Sequence, residues 1–169
     1  MAEAHPLVRV GKVPFGKGLF ARRAIAKGES IGQVTGRVIH DPDYTSSYCI
    51  DLGSEMSLEP RAPFRYLNHC CEPNSQLFSF DCEYEDGTAA PPEIHVEAIA
   101  DIPEGAELTI DYAWGADGAI KCLCGAAACR GWVVCPEELP TVLKRNGKKS
   151  PKAPALPSAA RRTGERGRK

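Results

Sequence analysis

Cys122, Cys124 and Cys129 fall within eight residues of one another and restrict this chain more than any other feature does. A fourth cysteine, Cys71, lies about fifty residues upstream, inside Arg65-Tyr-Leu-Asn-His-Cys-Cys-Glu-Pro-Asn74. Zinc takes four thiolates tetrahedrally, so three near thiols and one remote thiol can close a site that staples a C-terminal flap onto the body. Eight cysteines (Cys49, Cys70, Cys71, Cys82, Cys122, Cys124, Cys129 and Cys135) also admit a disulfide framework. Two observations favour the metal. Cys122 and Cys124 are one residue apart, which suits a shared ion better than two separate bridges. The start Met1-Ala-Glu-Ala-His-Pro-Leu has no basic stretch followed by an apolar core, so nothing marks the chain for export into an oxidising compartment. An intracellular protein is expected, cytoplasmic in a bacterium and nuclear in a eukaryote.

The chain has 169 residues, enough for one domain of about 140 residues and an appendage. No apolar run approaches the length of a membrane span, so no membrane partner is expected. The net charge of −1 conceals a division. From Lys144 onward ten Lys and Arg stand against one acidic residue, giving +9, and the first 143 residues carry −10. An acidic body favours cationic partners such as Lys-rich peptides, and a basic tail favours phosphates. The stretch after Asn146 has almost no large apolar side chains to offset the entropy of ordering, so disorder is expected there, as a solvated tail or as a nucleic-acid anchor.

The body reads as short strands separated by Gly and Pro: Leu7–Val10, Gly18–Arg22, Ser30–Ile39, Tyr48–Leu52, Ser75–Phe80, Glu93–Ala98 and Glu107–Tyr112. Helix is expected only around Arg61–Leu67 and Pro136–Val142, the latter with Pro136 suited to a first helical position. The class is therefore mostly β, built from several small sheets.

Four segments, taken in order, resemble a known family. They are Gly11-Lys-Val-Pro-Phe-Gly-Lys-Gly-Leu-Phe-Ala, the Arg65–Asn74 decapeptide, Glu107-Leu-Thr-Ile-Asp-Tyr112 and the CxCxxxxC flap. Together they resemble the SET-domain protein lysine methyltransferases with a post-SET zinc segment. The resemblance implies a SET fold with a threaded C-terminal segment and a zinc-stapled flap. It places a SET domain over 5–113, a post-SET segment over 119–135 and a basic tail over 144–169. It implies transfer of methyl groups from S-adenosylmethionine to a lysine of a basic protein. A non-catalytic module that keeps the fold and binds a basic peptide or nucleic acid is the alternative.

Roles follow from the same resemblance. Gly16, Lys17 and Gly18, with Leu19, match the turn whose backbone approaches the cofactor, for which glycine leaves room. Asn68 and His69 match the pair that hydrogen-bonds it. Tyr112 matches the catalytic tyrosine at the methyl-transfer point, in contact with the cofactor, and Tyr48 a second tyrosine of the lysine channel or plain core. The zinc ligands fall on Cys71, Cys122, Cys124 and Cys129, with Cys70 as an alternative thiol. Trp132 covers the cofactor or the channel mouth, or packs against the zinc loop. Ile110 stands where relatives usually carry Phe or Tyr, which implies a roomier pocket and di- or trimethylation. Arg61-Ala-Pro-Phe-Arg65 departs from the family's usual Gly-Asn before the decapeptide, so the substrate groove is expected to be shaped differently.

Overall fold

Turn residues cut the chain into short strands, and twelve of these form four small sheets in the computed structural model, which describes residues 5–146. The strands are β1 (Val8–Val13), β2 (Gly16–Ala21), β3 (Ser30–Val34), β4 (Gly36–His40), β5 (Ile50–Gly53), β6 (Met56–Pro60), β7 (Asn68–His69), β8 (Ser75–Glu83), β9 (Ala89–Ala98), β10 (Glu107–Ile110), β11 (Ile120–Lys121) and β12 (Trp132–Val133). The sheets run β1-β2-β10-β7, β3-β9-β8, β4-β6-β5 and β11-β12. One α-helix, α1 (Leu139–Arg145), follows a 3₁₀ turn over Pro136–Glu138.

Several expectations shift in detail. The single strand expected over Ser30–Ile39 is two, because Val34 pairs with Ile94 of β9 whereas Gly36 pairs with Pro60 of β6, so Thr35 turns the chain from one sheet into another. The helix expected at Arg61–Leu67 is only a 3₁₀ turn over Phe64–Tyr66. At the C-terminal end α1 continues through Lys144 and Arg145, which the charge division had counted with the tail. The disorder expected of the rest of that tail falls outside the described residues.

Alternation along the strands builds the core. Leu19, Ile25, Val96, Ile102 and Leu108 are fully buried, with Ile31, Leu58, Phe64 and Ile94 around them. A second, smaller cluster joins Ala116, Trp132, Val134 and Val142, so α1 closes over the segment that carries the late cysteines.

β10 is the element that makes the topology. On one side it pairs antiparallel with β2, Leu108 facing Leu19; on the other it runs parallel to β7, Thr109 beside Asn68 and Ile110 beside His69. Asn74 extends this pairing with its side chain, donating to the Glu107 carbonyl at 2.8 Å and accepting from the Thr109 amide at 2.9 Å. Ser75, fully buried, donates its hydroxyl to the Thr109 carbonyl at 2.9 Å, and the Cys70 amide donates to the Ile110 carbonyl at 2.9 Å. The late strand is thus bracketed between β2 and residues 68–75, which is the threaded C-terminal segment.

Candidate active site and metal centre

Immediately after β10 the backbone of Ala113 adopts φ 46°, in the left-handed region that residues other than glycine rarely occupy. This bend folds Trp114 back against Tyr112, ring centroids 5.3 Å apart. The Tyr112 hydroxyl donates to the Leu67 carbonyl at 2.8 Å, and the Tyr112 amide donates to His69 Nδ1 at 3.2 Å. Burial first, then the nearby Tyr48 hydroxyl and the Glu107 carboxylate, push Tyr112 up to about 12. It is therefore a neutral hydrogen-bonding group at physiological pH rather than a base.

Tyr112 lies at the wall of a cavity of about 1210 Å³ that Tyr48, Arg65, Leu67, Leu77, Ile110, Asp111 and Trp114 also line. Tyr48 and Tyr112, paired in the sequence reading, share this cavity. The Arg65 guanidinium stacks on Tyr48 at 4.1 Å and reaches Glu59 at 3.6 Å. Glu59 in turn accepts from the Ser46 hydroxyl at 2.6 Å and the Tyr44 hydroxyl at 3.1 Å, while Ser46 Oγ accepts from the Tyr48 and Cys49 amides. One carboxylate therefore anchors the whole loop that presents Tyr48. Ile110 is buried in the main core and also borders the cavity. The cavity carries Asp41, Asp51, Glu55 and Asp111 against the single basic Arg65, an acidic lining suited to a cationic ligand.

The residues expected to hold the cofactor gather on the four-stranded sheet. Asn68 Nδ2 donates to the Lys17 carbonyl at 3.0 Å and to Glu107 Oε1 at 2.7 Å, tying β7 to β2 and β10. Its Oδ1 accepts no hydrogen bond from the described residues. His69 is held between the Tyr112 amide and Asp111, 3.5 Å away, and burial lowers its pKa. The Gly16–Gly18 segment is not itself a turn: Pro14 and Phe15 form the hairpin loop, and Val13 faces Gly16. A Cβ at Gly18 would meet the Glu107 carboxylate that Asn68 uses and displace it, whereas the space above Gly16 is open. Leu19 is fully buried, so its side chain is closed to a ligand. Trp132 does not line the cavity; it packs in the second cluster with the Lys121 ammonium 3.7 Å over its ring.

The sulfur atoms of Cys71, Cys122, Cys124 and Cys129 lie within 4.8 Å of one another, and all eight cysteines are free thiols. The Cys71 and Cys122 sulfurs are 3.7 Å apart, close to the ~3.8 Å edge of a tetrahedron with zinc–sulfur bonds of ~2.3 Å. Amides of Cys124, Arg130 and Gly131 point at the sulfurs of Cys122, Cys71 and Cys129, each at 3.4 Å, as charge-stabilising donors to thiolates. Burial pushes the Cys71 thiol up to about 11 and Cys122 higher still, so thiolates at these two positions require a cation beside them, whereas hydrogen bonds from its neighbours lower Cys124 to about 7. The donor set and spacing fit zinc, and Cys71 rather than Cys70 completes the group. Arg130 pairs with Asp111 at 2.7 Å, and the Ala128 amide donates to Glu72 at 3.0 Å, so the flap is latched beside the cavity as well as through sulfur.

Sequence reasoning gave no role to Glu59, Asn74, Trp114, Asp111 or Arg130. Asn74 and Asp111 stand inside the recognised segments, but their partners are more than a dozen residues away, which no local pattern encodes.

The family model for the SET domain matches residues 16–113, more than half of the chain. The H3 lysine-9 specific histone-lysine N-methyltransferase dim-5 of Neurospora crassa is 39% identical over 87 residues, covering 42% of this chain and 25% of its own. The H3 lysine-36 specific histone-lysine N-methyltransferase of Mus musculus is 28% identical over 158 residues, 82% of this chain and 6% of its own. The chain thus spans a quarter or less of these relatives. The crystal structure of KRYPTONITE in complex with mCHG DNA and SAH superposes with a TM-score of 0.62 over 78% of this chain and 30% of that one, at 21% identity, and has the same fold.

Proposed function

The chain belongs to the SET-domain family, and from that premise we propose that it is a protein-lysine N-methyltransferase, drawing methyl groups from S-adenosylmethionine and acting on a lysine within a basic protein segment. The observation that carries the reading is the acidic cavity with Tyr48 and the hydrogen-bonded hydroxyl of Tyr112 on its walls. The named relatives are histone-lysine methyltransferases, which supports the same reaction and a histone-like substrate. In this reading 5–113 is the SET domain, 119–135 the post-SET zinc segment and 144–169 a basic tail. No helix among the described residues is long and apolar enough to cross a membrane. A nuclear site in a eukaryote, or the cytoplasm of a bacterium, fits a substrate of this kind.

A lysine of pKa about 10.4 is protonated at pH 7, and exposing its lone pair costs about 4 to 5 kcal/mol at 1.36 kcal/mol per unit. The cavity's acidic outer residues attract the ammonium, and the apolar walls of Leu67, Leu77, Ile110 and Trp114 then disfavour its charge by desolvation. Tyr112, fixed by Leu67 and His69, orients the nitrogen, and Tyr48, held by Arg65 and Glu59, confines the stem. Alignment and exclusion of water supply most of what a displacement of this kind needs. S-adenosylmethionine, when bound, supplies the electrophilic methyl group. The Gly16, Lys17, Gly18 and Leu19 backbones, Asn68 with its free Oδ1, His69 and Tyr112 would hold it. The four cysteines would hold zinc, which keeps the flap and its Arg130–Asp111 latch beside the cavity. Trp132 serves this face by packing the flap, and Trp114 supplies the aromatic wall beside Tyr112.

Incubation with labelled S-adenosylmethionine and core histones, followed by identification of labelled lysines, tests the proposal. Label on lysine supports it. Cofactor binding by calorimetry without transfer to any protein would leave a binding module in its place.

A further inference from the structure

The same cavity stands next to the point where the chain leaves the described structure. Ala116 lies between Gly115 and Gly118, both of which line the cavity, and α1 is fastened there at both ends. Glu138 accepts from the Ala116 amide at 2.6 Å, and Arg145 donates to the Ala116 carbonyl and to Asp117 at 3.0 Å. The end of α1 is therefore tied through the Arg145 side chain to the cavity's rim. The residues after Asn146 read Gly-Lys-Lys-Ser-Pro-Lys, with Lys148, Lys149 and Lys152 and no acidic residue before Glu165.

Charge and reach agree. Asp41, Asp51 and Glu55 line the cavity without ion-pair partners among the described residues, and Arg65, its only basic residue, is already engaged by Glu59 and Tyr48. Ala116 is four residues from Tyr112, no more than about 14 Å of chain. Lys152 lies seven residues beyond Arg145, a span of up to about 24 Å, whereas Lys148 commands only about 10 Å. A tethered segment also meets the site at an effective concentration on the order of millimolar, without diffusing to it.

We propose that the cavity takes this chain's own segment 147–152, with Lys152 as the first methyl acceptor, so that the protein modifies itself in cis. The inference rests on the methyltransferase reading above. The Lys152 ammonium loses a proton to solvent on entering the site. Its nitrogen lone pair then forms the N–C bond as the methyl–sulfur bond of S-adenosylmethionine breaks, and that electron pair stays on sulfur as a neutral thioether.

The test incubates the full chain with S-adenosylmethionine, with and without core histones, and maps methyl groups by mass spectrometry. Methyl on Lys152, formed at a per-molecule rate unchanged on roughly tenfold dilution, supports the proposal. A variant carrying Lys148→Arg, Lys149→Arg and Lys152→Arg should still modify histones, within about twofold of the parent, showing that a lost tail signal is not a lost fold. Modified histones with unmodified tail lysines overturn the inference and leave the enzyme reading standing. A tail signal that falls in proportion to dilution overturns it too, because the acceptor is then a second copy. Cofactor binding with neither tail nor histones modified overturns the enzyme reading and this inference with it.

Discussion

Tyr112 is held by its hydroxyl and by its amide, and the two contacts separate its chemical role from its structural one. Tyr112→Phe keeps the ring against Trp114 and the amide on His69 while removing the hydroxyl, so cofactor affinity should hold and turnover should fall about 10²-fold or more. The pH profile carries the matching sign. A tyrosine raised to about 12 keeps its proton through the range in which lysine loses its own, so kcat should climb with pH towards about 10 without a falling limb from this residue; such a limb near the ordinary tyrosine value would place a different hydroxyl at the site. Ile110 borders the cavity without a hydroxyl, so no hydrogen bond from this residue resists rotation of a methylated amine. Mass spectrometry at long incubation should show di- or trimethyl-lysine from the parent, shifted to monomethyl-lysine by Ile110→Tyr; an unchanged product pattern would remove position 110 as the determinant. Tyr112 and the cysteines were legible because each sits in a short pattern with one dominant chemical use. Glu59 was not, because Ser46, Tyr44 and Arg65 reach it from six to fifteen residues away and no spacing rule joins them.

Among elements, β1, β2, β5, β8, β9 and β10 were read within a few residues, and β6 was missed. Its hairpin with β5 turns through Ser54 and Glu55, both at positive φ, where a reader looks for Asn-Gly or Asp-Gly. β7, β11 and β12 have two residues each, too short for any period to show. Helix was anticipated around Pro136–Val142, but Pro136 opens the 3₁₀ turn and α1 runs on to Arg145, where Val142 packs into the second cluster and Arg145 reaches Ala116. The flap is the element on which a metal prediction can be made. Its two-residue strands and small cluster cannot replace the four-thiol group, so Cys124→Ser should cost bound zinc and activity while leaving the circular-dichroism signature of the β core largely intact. Full activity in a zinc-free variant would show that the flap is held by Arg130–Asp111 and apolar packing alone.

For the molecule as a whole, the charge division read from the sequence has a geometric counterpart in an acidic cavity beside the root of a basic segment. The far part of that segment, with Arg161, Arg162, Arg166, Arg168 and Lys169, lies beyond what the cavity needs and suits phosphate. Any duplex-DNA affinity that rests on this part should be steeply salt-dependent and lost on truncation after Ala160, with self-modification left in place; a salt-independent affinity that survives truncation would assign the contact to the body. The fold was legible at this scale because four motifs keep their order, whereas the course of β10 depended on Asn74 and Ser75, whose partners lie more than thirty residues away. That course has a temporal consequence. Cys71 and Cys122 stand on either side of β10 in sequence, so a metal between them makes a clasp around the strand that lies between β2 and residues 68–75. With a metal held there β10 would not withdraw by simple unravelling from the C-terminal end, and departure of the ion would become a step that unfolding has to pass through.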